Sequence, residues 1–219
     1  MRQAPYLDTC TVGTDLRKLA MDGFPASNLL GCDLRRDFIE AGYRLFQDKE
    51  TSPITFFTSD IFDLSTTQAS EASTIPLREV KSLEDLKGRL TYIYTGALFH
   101  LFDEDMQYSL ASRLALLLNL DQPAIIFGRH QGLLKAGLFD FPPTRFVLFV
   151  SLVHHQLLTL ISVKDTDIHP IPGPSCGKRS SQSSRARIFA TSRVSAQAYF
   201  SGTEHEYMFW SVNIASEVA

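Results

Sequence analysis

Short apolar runs and amphipathic stretches alternate along roughly the first 130 residues. The apolar runs predict β-strands; after a first strand that begins almost at Met1, they are Asn28–Asp33, Ile54–Asp60, Leu90–Thr95 and Pro123–Gly128. The amphipathic stretches have apolar positions at helical spacing and predict helices; they are Asp15–Met21, Phe38–Phe46 and a segment from about Asp105 to Asn119. This alternation predicts an α/β fold with a mostly parallel sheet, covered on both faces and binding ligands at its carboxyl edge.

The first predicted helix has both a start signal and a stop signal. Thr14 or Asp15 can cap its first turn, because hydroxyl and carboxylate oxygens accept hydrogen bonds from the free N–H groups there. Gly23 is placed to end the helix, since glycine readily adopts the left-handed conformation that follows many helices. A short helix is therefore expected directly after Gly13.

Two acidic residues, Asp33 and Asp60, close two of the predicted strands. Asp33 comes 20 positions after Gly13, near the spacing at which dinucleotide-type folds place a carboxylate on ribose hydroxyls. An acid one strand later can face an adenine amino group, so the pair suggests an adenosine site. Two other interpretations stay open: Asp33 as a cap of the next helix, and Asp60 as a loop-end residue in an Asx-turn.

Composition narrows the class of ligand. The chain has 219 residues, of which 44% are hydrophobic and 21% charged, which fits one well-buried globular domain. Its formal net charge of -3 provides no overall attraction for nucleic acid. A small-molecule ligand is therefore expected, and nucleic acid is not.

Cysteines and apolar segments bear on location. Cys10, Cys32 and Cys176 are widely spaced and odd in number, so they indicate neither a disulfide framework nor a metal site. The first residues lack a secretory signal, and we expect a cytoplasmic protein. The run Phe146–Val163 is long enough for a membrane span, but His154–Gln156 lie at its centre, so no membrane insertion is expected.

Five blocks stand in a recognisable order: Gly13–Leu19; Asp33-Leu34-Arg35 with Phe38–Tyr43; Asp60–Asp63; Gly96–Phe102; and Phe127–Gly132. In this order they resemble fungal S-adenosylmethionine-dependent methyltransferases, particularly those of meroterpenoid and related secondary-metabolite pathways. The resemblance covers roughly residues 7 to 143 and a short C-terminal piece. It implies a Rossmann-like class I sheet with an antiparallel C-terminal strand, S-adenosylmethionine as cofactor, and methyl transfer to an oxygen of a small-molecule acceptor.

The resemblance also implies a role for individual residues. It places Gly13 in the turn near the methionine part of the cofactor, Asp33 on the ribose hydroxyls, and Asp60 with Ile61 at adenine, and it counts Leu34 among the cofactor-binding residues. Thr95 and Gly96 would form the floor of the site.

His100 follows the fourth strand and is the candidate catalytic residue. It would act as base for a phenol or alcohol, or as an orienting group for a carboxylate, which is already ionised at neutral pH. The alternatives are a His that caps the next helix or bonds a neighbour. His130 is a weaker candidate on the acceptor side.

The chain departs from this family in its cofactor turn and at its start. The family has an Asp followed by small or glycine residues before the last glycine of this turn. In this chain the turn Leu7–Gly13 has one glycine, and its acid, Asp8, stands one position later than in the family. A threonine there at positive φ would be costly and would obstruct the ligand. Relatives carry an N-terminal extension, so the sheet is expected to be incomplete there and the site open to water.

A third departure divides the chain into domain segments. Residues 1–143 are predicted to form the cofactor-binding domain, and residues 188–219 to form the closing strands of the same domain. Residues 144–187 are predicted to be an irregular insert between them. The sheet is therefore expected to be disrupted near the C-terminus. In a shifted frame, codons for Cys176 to Arg187 can spell Arg-Lys-Glu-Val-Phe-Thr-Glu-Leu-Glu-Gly-Ala, an amphipathic helix. A retained intron or frame error is the resulting hypothesis.

Two other classes stay open. One is a catalytically impaired methyltransferase-like protein, given the altered turn and tail. The other is a nicotinamide-dependent oxidoreductase, which would use Asp33 in the same way, although the chain lacks a G-x-G-x-x-G turn and a Tyr-x-x-x-Lys pair.

Overall fold

The computed structural model describes residues 4–9, 11–67, 73–131, 137–138, 145–146, 187–190, 194–201 and 207–215. The strands are β1 Tyr6–Thr9, β2 Leu29–Asp33, β3 Thr55–Thr58, β4 Tyr92–Gly96, β5 Ala124–Gln131, β6 Gly137–Leu138, β7 Arg145–Phe146, β8 Arg187–Ala190, β9 Val194–Ser201 and β10 Tyr207–Ile214. The helices are α1 Thr14–Met21, α2 Arg36–Phe46 and α3 Glu104–Leu117. Nearly all of the predicted insert and of the long apolar run lies outside the described residues.

One sheet organises the fold, with the strand order β3-β2-β1-β4-β5-β10-β9-β8. Strands β1 to β5 pair in parallel, and β10, β9 and β8 are antiparallel. The short strands β6 and β7 form a separate pair. The predicted parallel sheet with antiparallel C-terminal pairing is therefore confirmed.

Helix α1 ends as predicted but begins differently. At its end the Gly23 N–H donates to the Ala20 carbonyl and the Phe24 N–H to the Leu19 carbonyl, which is a Schellman motif with Gly23 at φ 98°. At its start the cap position is Gly13, and no side chain caps the helix. The expectation that Thr14 or Asp15 would cap it is wrong, because both lie inside the first turn.

Helix α2 packs closely against the turn before α1. A Cβ atom on Gly42 would lie 2.1 Å from the carbonyl oxygen of Val12, far inside van der Waals contact. Glycine is thus required at this position of an otherwise ordinary amphipathic helix, because the turn backbone occupies the space of its side chain. The sequence pattern places Gly42 in the helix but gives no sign of this contact.

Apolar side chains cover the two faces of the sheet in different ways. Leu7, Leu30, Ile93 and Ile126 belong to a large buried cluster that includes the apolar side of α3. On the other face, Tyr6, Leu16, Leu29 and Ile54 are buried together, with α1 above them. Along β4 and β5 on this second face, half-buried Tyr92, Tyr94 and Phe127 line an open groove of about 670 Å³. Within the described residues, the predicted two-sided cover is therefore clearest over β1 and β2.

The ends of several elements differ from the sequence prediction. Strand β3 stops at Thr58, and the chain then enters a 3-10 turn over Ile61–Asp63, so Asp60 lies beyond the strand it was expected to close. Strand β5 continues to Gln131, because all eight of its residues pair with β10. Among the described helices, none is long and apolar enough to span a membrane.

Candidate functional site

The carboxyl ends of β1, β2 and β4 meet at one edge of the sheet. Thr9 pairs in register with Cys32 on one side and with Thr95 on the other, so the residues after these positions emerge side by side. The crossovers after β1 and β4 lead to opposite sides of the strand order, which makes this point a topological switch. Doubly wound sheets bind ligands in the crevice that opens between two neighbouring strands at such a switch point.

The turn from Thr11 to Gly13 leads from β1 into α1. Gly13 has φ 82° and ψ 20°, a left-handed conformation, and its N–H donates to the Thr11 hydroxyl oxygen at 2.7 Å. Neither Thr9, Thr11 nor Val12 has positive φ. The expected strain of a threonine at positive φ is therefore wrong for these residues: Thr11 instead supplies the acceptor that closes the turn.

Asp33 ends β2 and is 6% exposed. Its Oδ1 accepts a hydrogen bond from the Arg35 N–H at 2.8 Å. Burial raises the pKa of Asp33, and hydrogen bonds from the backbone of Arg35 and Thr11 oppose that rise. Arg35 itself is the cap position of α2, and no side chain caps that helix, so Asp33 is not its cap. Leu34, 64% exposed, lies next to it at the rim.

Asp60 forms the Asx-turn considered as its alternative. Its Oδ1 accepts from the Phe62 N–H at 2.8 Å and so caps the 3-10 turn that contains Ile61. Phe62 packs edge-on against Phe102, with ring centroids 5.2 Å apart. The hydrogen bond to Oδ1 holds the Asp60 carboxylate near the edge of the sheet where the parallel strands end. Binding of adenine by Asp60 and Ile61 stays a prediction.

Thr95 and Gly96 are the last two residues of β4. The Thr95 hydroxyl is buried and has no hydrogen-bond partner among the described residues. Ala97 follows with φ 54°, and its N–H donates to the Arg129 carbonyl at 2.8 Å, so β4 ends in a fixed bend beside β5. An unpartnered buried hydroxyl at this edge fits the predicted floor of a polar site.

His100 lies in a 3-10 turn, Phe99–Leu101, shortly after β4. It is half-buried, and burial lowers its pKa, which favours the neutral imidazole. The cap of α3 is Asp103, whose side chain accepts from the Met106 N–H, so the interpretation of His100 as that cap is wrong. His130 lies within β5, where its backbone position pairs with Met208.

Asp8 was not assigned a role from the sequence, yet it is the most buried carboxyl of the candidate site. It is 2% exposed within β1, directly before the strand end. Burial raises its pKa to about 7; the negative charges of Asp15 and Asp33 add to the rise, and a hydrogen bond with the Thr11 side chain opposes it. An acid inside an otherwise apolar strand was the available signal.

Solved structures show the fold of this arrangement. The chain is similar to phosphoethanolamine N-methyltransferase 2 of Haemonchus contortus, solved with S-adenosyl-L-methionine, at TM-score 0.50 and 11% identity over 99% of this chain and 50% of that one. The PH0226 protein of Pyrococcus horikoshii matches at TM-score 0.50 and 12% identity, over 97% and 82% of the two chains. The fold is therefore that of the Rossmann-like class I methyltransferases. No protein-family model matches the chain.

Curated sequences give a narrower likeness. The chain is 37% identical over 133 residues to O-methyltransferase phiE of Fungal sp. (strain ATCC 74256), covering 60% of this chain and 40% of that protein. It is 33% identical to the Asnovolin E/Chermesin D methyltransferase nvfJ of Aspergillus novofumigatus, over 57% and 40% of the two chains. The resemblance to fungal methyltransferases is confirmed, and the matched part spans less than half of each of these relatives.

Proposed function

We propose that this chain is an S-adenosylmethionine-dependent methyltransferase whose acceptor is an oxygen of a small molecule. The observation that carries the proposal is the convergence of the Gly13 turn, the Asp33 carboxylate and the buried Thr95 hydroxyl at one switch point. The similarity to fungal O-methyltransferases supports it. A cytoplasmic location belongs to the same proposal and is supported by the cysteine pattern.

The residues present fit such a cofactor. Asp33 can accept hydrogen bonds from two ribose hydroxyls, a charge-assisted contact worth roughly 1.5 to 3 kcal/mol. Leu34 offers an exposed apolar surface beside it, and Asp60 with Ile61 lies after the neighbouring strand. Gly13 brings backbone to the site without a side chain. When bound, the cofactor would supply an electrophilic methyl group, and the protein aligns the acceptor and excludes water.

The Asp33 carboxylate is tested by calorimetric titration with S-adenosylhomocysteine. Asp33→Asn keeps an oxygen for the Arg35 N–H but removes the charge, so it separates ligand binding from the local turn. We expect wild-type affinity in the micromolar range and a loss of roughly 10- to 100-fold in the variant. Asp22→Asn, with the same charge change at an exposed residue paired with Lys18, should bind as wild type does.

The outcomes of this titration separate the candidate functions. Equal affinity in Asp33→Asn and wild type would assign Asp33 to the turn alone. No binding by folded wild type would favour the impaired, methyltransferase-like protein. In a parallel titration with a nicotinamide dinucleotide, binding of that ligand instead of S-adenosylhomocysteine would favour the oxidoreductase.

The role of His100 depends on the acceptor. A carboxylate acceptor needs no base, so its turnover should be nearly flat between about pH 6 and 9. For a phenol acceptor we expect turnover to fall as the pH drops and the imidazole protonates, with the midpoint below the ordinary histidine pKa because burial favours the neutral form. His100→Ala should abolish that acidic limb, and full turnover of a phenol by the variant would contradict a base there.

A further inference from the structure

We infer that Arg17 is a positioning residue that holds the backbone of the cofactor turn in its binding conformation. This inference deepens the proposed function and rests on it as far as the ligand is concerned. Arg17 lies in the first half of α1, where its side chain points back toward the turn rather than into solvent, with only 9% of the side chain exposed. Burial of a guanidinium group is costly unless hydrogen-bond acceptors surround it, so the partners of a buried arginine indicate what it does.

The guanidinium group of Arg17 binds the turn directly. Its Nη1 donates to the carbonyl oxygens of Val12 at 3.0 Å and Gly13 at 3.2 Å. At the other end of the Val12–Gly13 peptide, the Gly13 N–H donates to the Thr11 hydroxyl. Both polar groups of that peptide are therefore fixed, one by Arg17 and one by Thr11, and the peptide plane cannot rotate without breaking one of these bonds.

The same group fills the space behind the glycine. A Cβ atom on Gly13 would lie 2.4 Å from Nη1 of Arg17 and 2.6 Å from the Phe56 ring. Arg17 thus backs the turn on the side where Gly13 lacks a side chain. Contact from behind and hydrogen bonds to two successive carbonyls together restrict the turn to one conformation, which lowers the conformational cost of binding a ligand there.

Asp48 and a set of aromatic rings hold Arg17 in turn. Nε and Nη2 of Arg17 each donate to a carboxylate oxygen of Asp48 at 2.7 Å, a planar two-bond pair. This pairing lowers the pKa of Asp48. The guanidinium carbon lies 4.4 Å from the ring centre of Phe46 and 4.9 Å from that of Phe56. Lysine could offer a charge but not this fork, so the site is specific for arginine.

The test compares Arg17→Met with a matched control, Arg89→Met. Arg89 also donates to two backbone carbonyls, those of Asp85 and Ile75, but it lies just before β4, at the opposite edge of the sheet. Hydrogen exchange of the amides of residues 11–14 is measured on the ligand-free proteins. We expect exchange there to become at least tenfold faster in Arg17→Met and to stay unchanged in Arg89→Met. Unchanged exchange in Arg17→Met would overturn the inference.

Titration with S-adenosylhomocysteine, well below the melting temperature, gives the second readout. We expect the dissociation constant to rise about tenfold in Arg17→Met, less in Arg17→Lys, and not in Arg89→Met. A lowered melting temperature with unchanged affinity and exchange would assign Arg17 a merely structural role and overturn the inference. If Arg17→Met does not fold, Arg17→Lys carries both measurements.

The two readouts separate this inference from the proposed function. If wild type binds no S-adenosylhomocysteine, the proposed function fails, whereas selectively faster exchange of the turn in the Arg17 variants still supports its positioning role. If wild type binds and the Arg17 variants bind equally well, the proposed function stands and the inference falls.

Discussion

Asp8→Asn is expected to remove most of the pH dependence of stability between about pH 4 and pH 7. Burial raises the pKa of Asp8 to about 7 in the folded chain, against an ordinary value of 3.8. Between those values the folded protein holds a proton that the unfolded chain has released. The free energy of unfolding of the wild type should therefore fall as the pH rises through this window, by up to about 4 kcal/mol.

The measurement is urea unfolding at several pH values from 4.5 to 8. Asn mimics the neutral carboxyl of Asp8. The free energy of unfolding of Asp8→Asn should therefore vary less with pH than that of the wild type, and it should be higher than the wild-type value at pH 8. Part of the slope will remain, because burial also raises the pKa of Asp33. The lowered pKa of His100 acts in the opposite direction, since its unfolded form takes up a proton first as the pH falls. Identical slopes in wild type and Asp8→Asn would contradict a buried, protonated Asp8.

Gly42→Val is expected to lower the free energy of unfolding by about 3 kcal/mol. Helix propensity alone predicts a small gain, because valine is a slightly better helix residue than glycine. The clash with the turn outweighs this gain in helix propensity, because the new Cβ would lie 2.1 Å from the Val12 carbonyl oxygen. A backbone atom cannot move aside as the tip of a side chain can. Displacement of Val12 should also weaken binding of S-adenosylhomocysteine.

The matched control for this substitution is Arg44→Val, at an exposed position of the same helix. It introduces the same side chain without the contact, and its cost should stay near the helix propensity of valine, about half a kcal/mol. Chemical unfolding of both variants gives the comparison. Equal stability of Gly42→Val and Arg44→Val would mean that the turn does not press on α2 as closely as the structure shows.

The sequence predicted the elements that carry their own pattern. The apolar run that ends at Asp33 formed a strand buried at every position, as a continuous apolar run predicts, and the amphipathic stretch up to Phe46 formed a helix, as apolar positions at helical spacing predict. Strand ends were less predictable. Asp60 was expected to close a strand, but the strand stops at Thr58, and the Asp60 side chain accepts from the Phe62 N–H and caps the turn that follows.

The parts of the candidate site that the sequence did not reveal are those built by distant partners. Arg17 and Asp48 lie 31 positions apart and meet only because α1 and the end of α2 pack on the same face of the sheet. The function of Thr11 as an acceptor for Gly13 depends on backbone angles that no periodicity encodes. Asp33, by contrast, was predictable because its position relative to Gly13 reflects the length of one strand-helix unit.

The strand order has a consequence for association between molecules. Among the residues that the structure describes, the outermost strands of the sheet are β3 and β8, with four residues each, whereas β5, β9 and β10 have eight and lie inside. A strand from another chain that docks on either rim gains only a few main-chain hydrogen bonds, and Pro53, shortly before β3, has no N–H to add. Loss of β8 would instead expose the eight-residue strand β9 at the rim of the described sheet, and we expect such a long open edge to favour edge-to-edge aggregation.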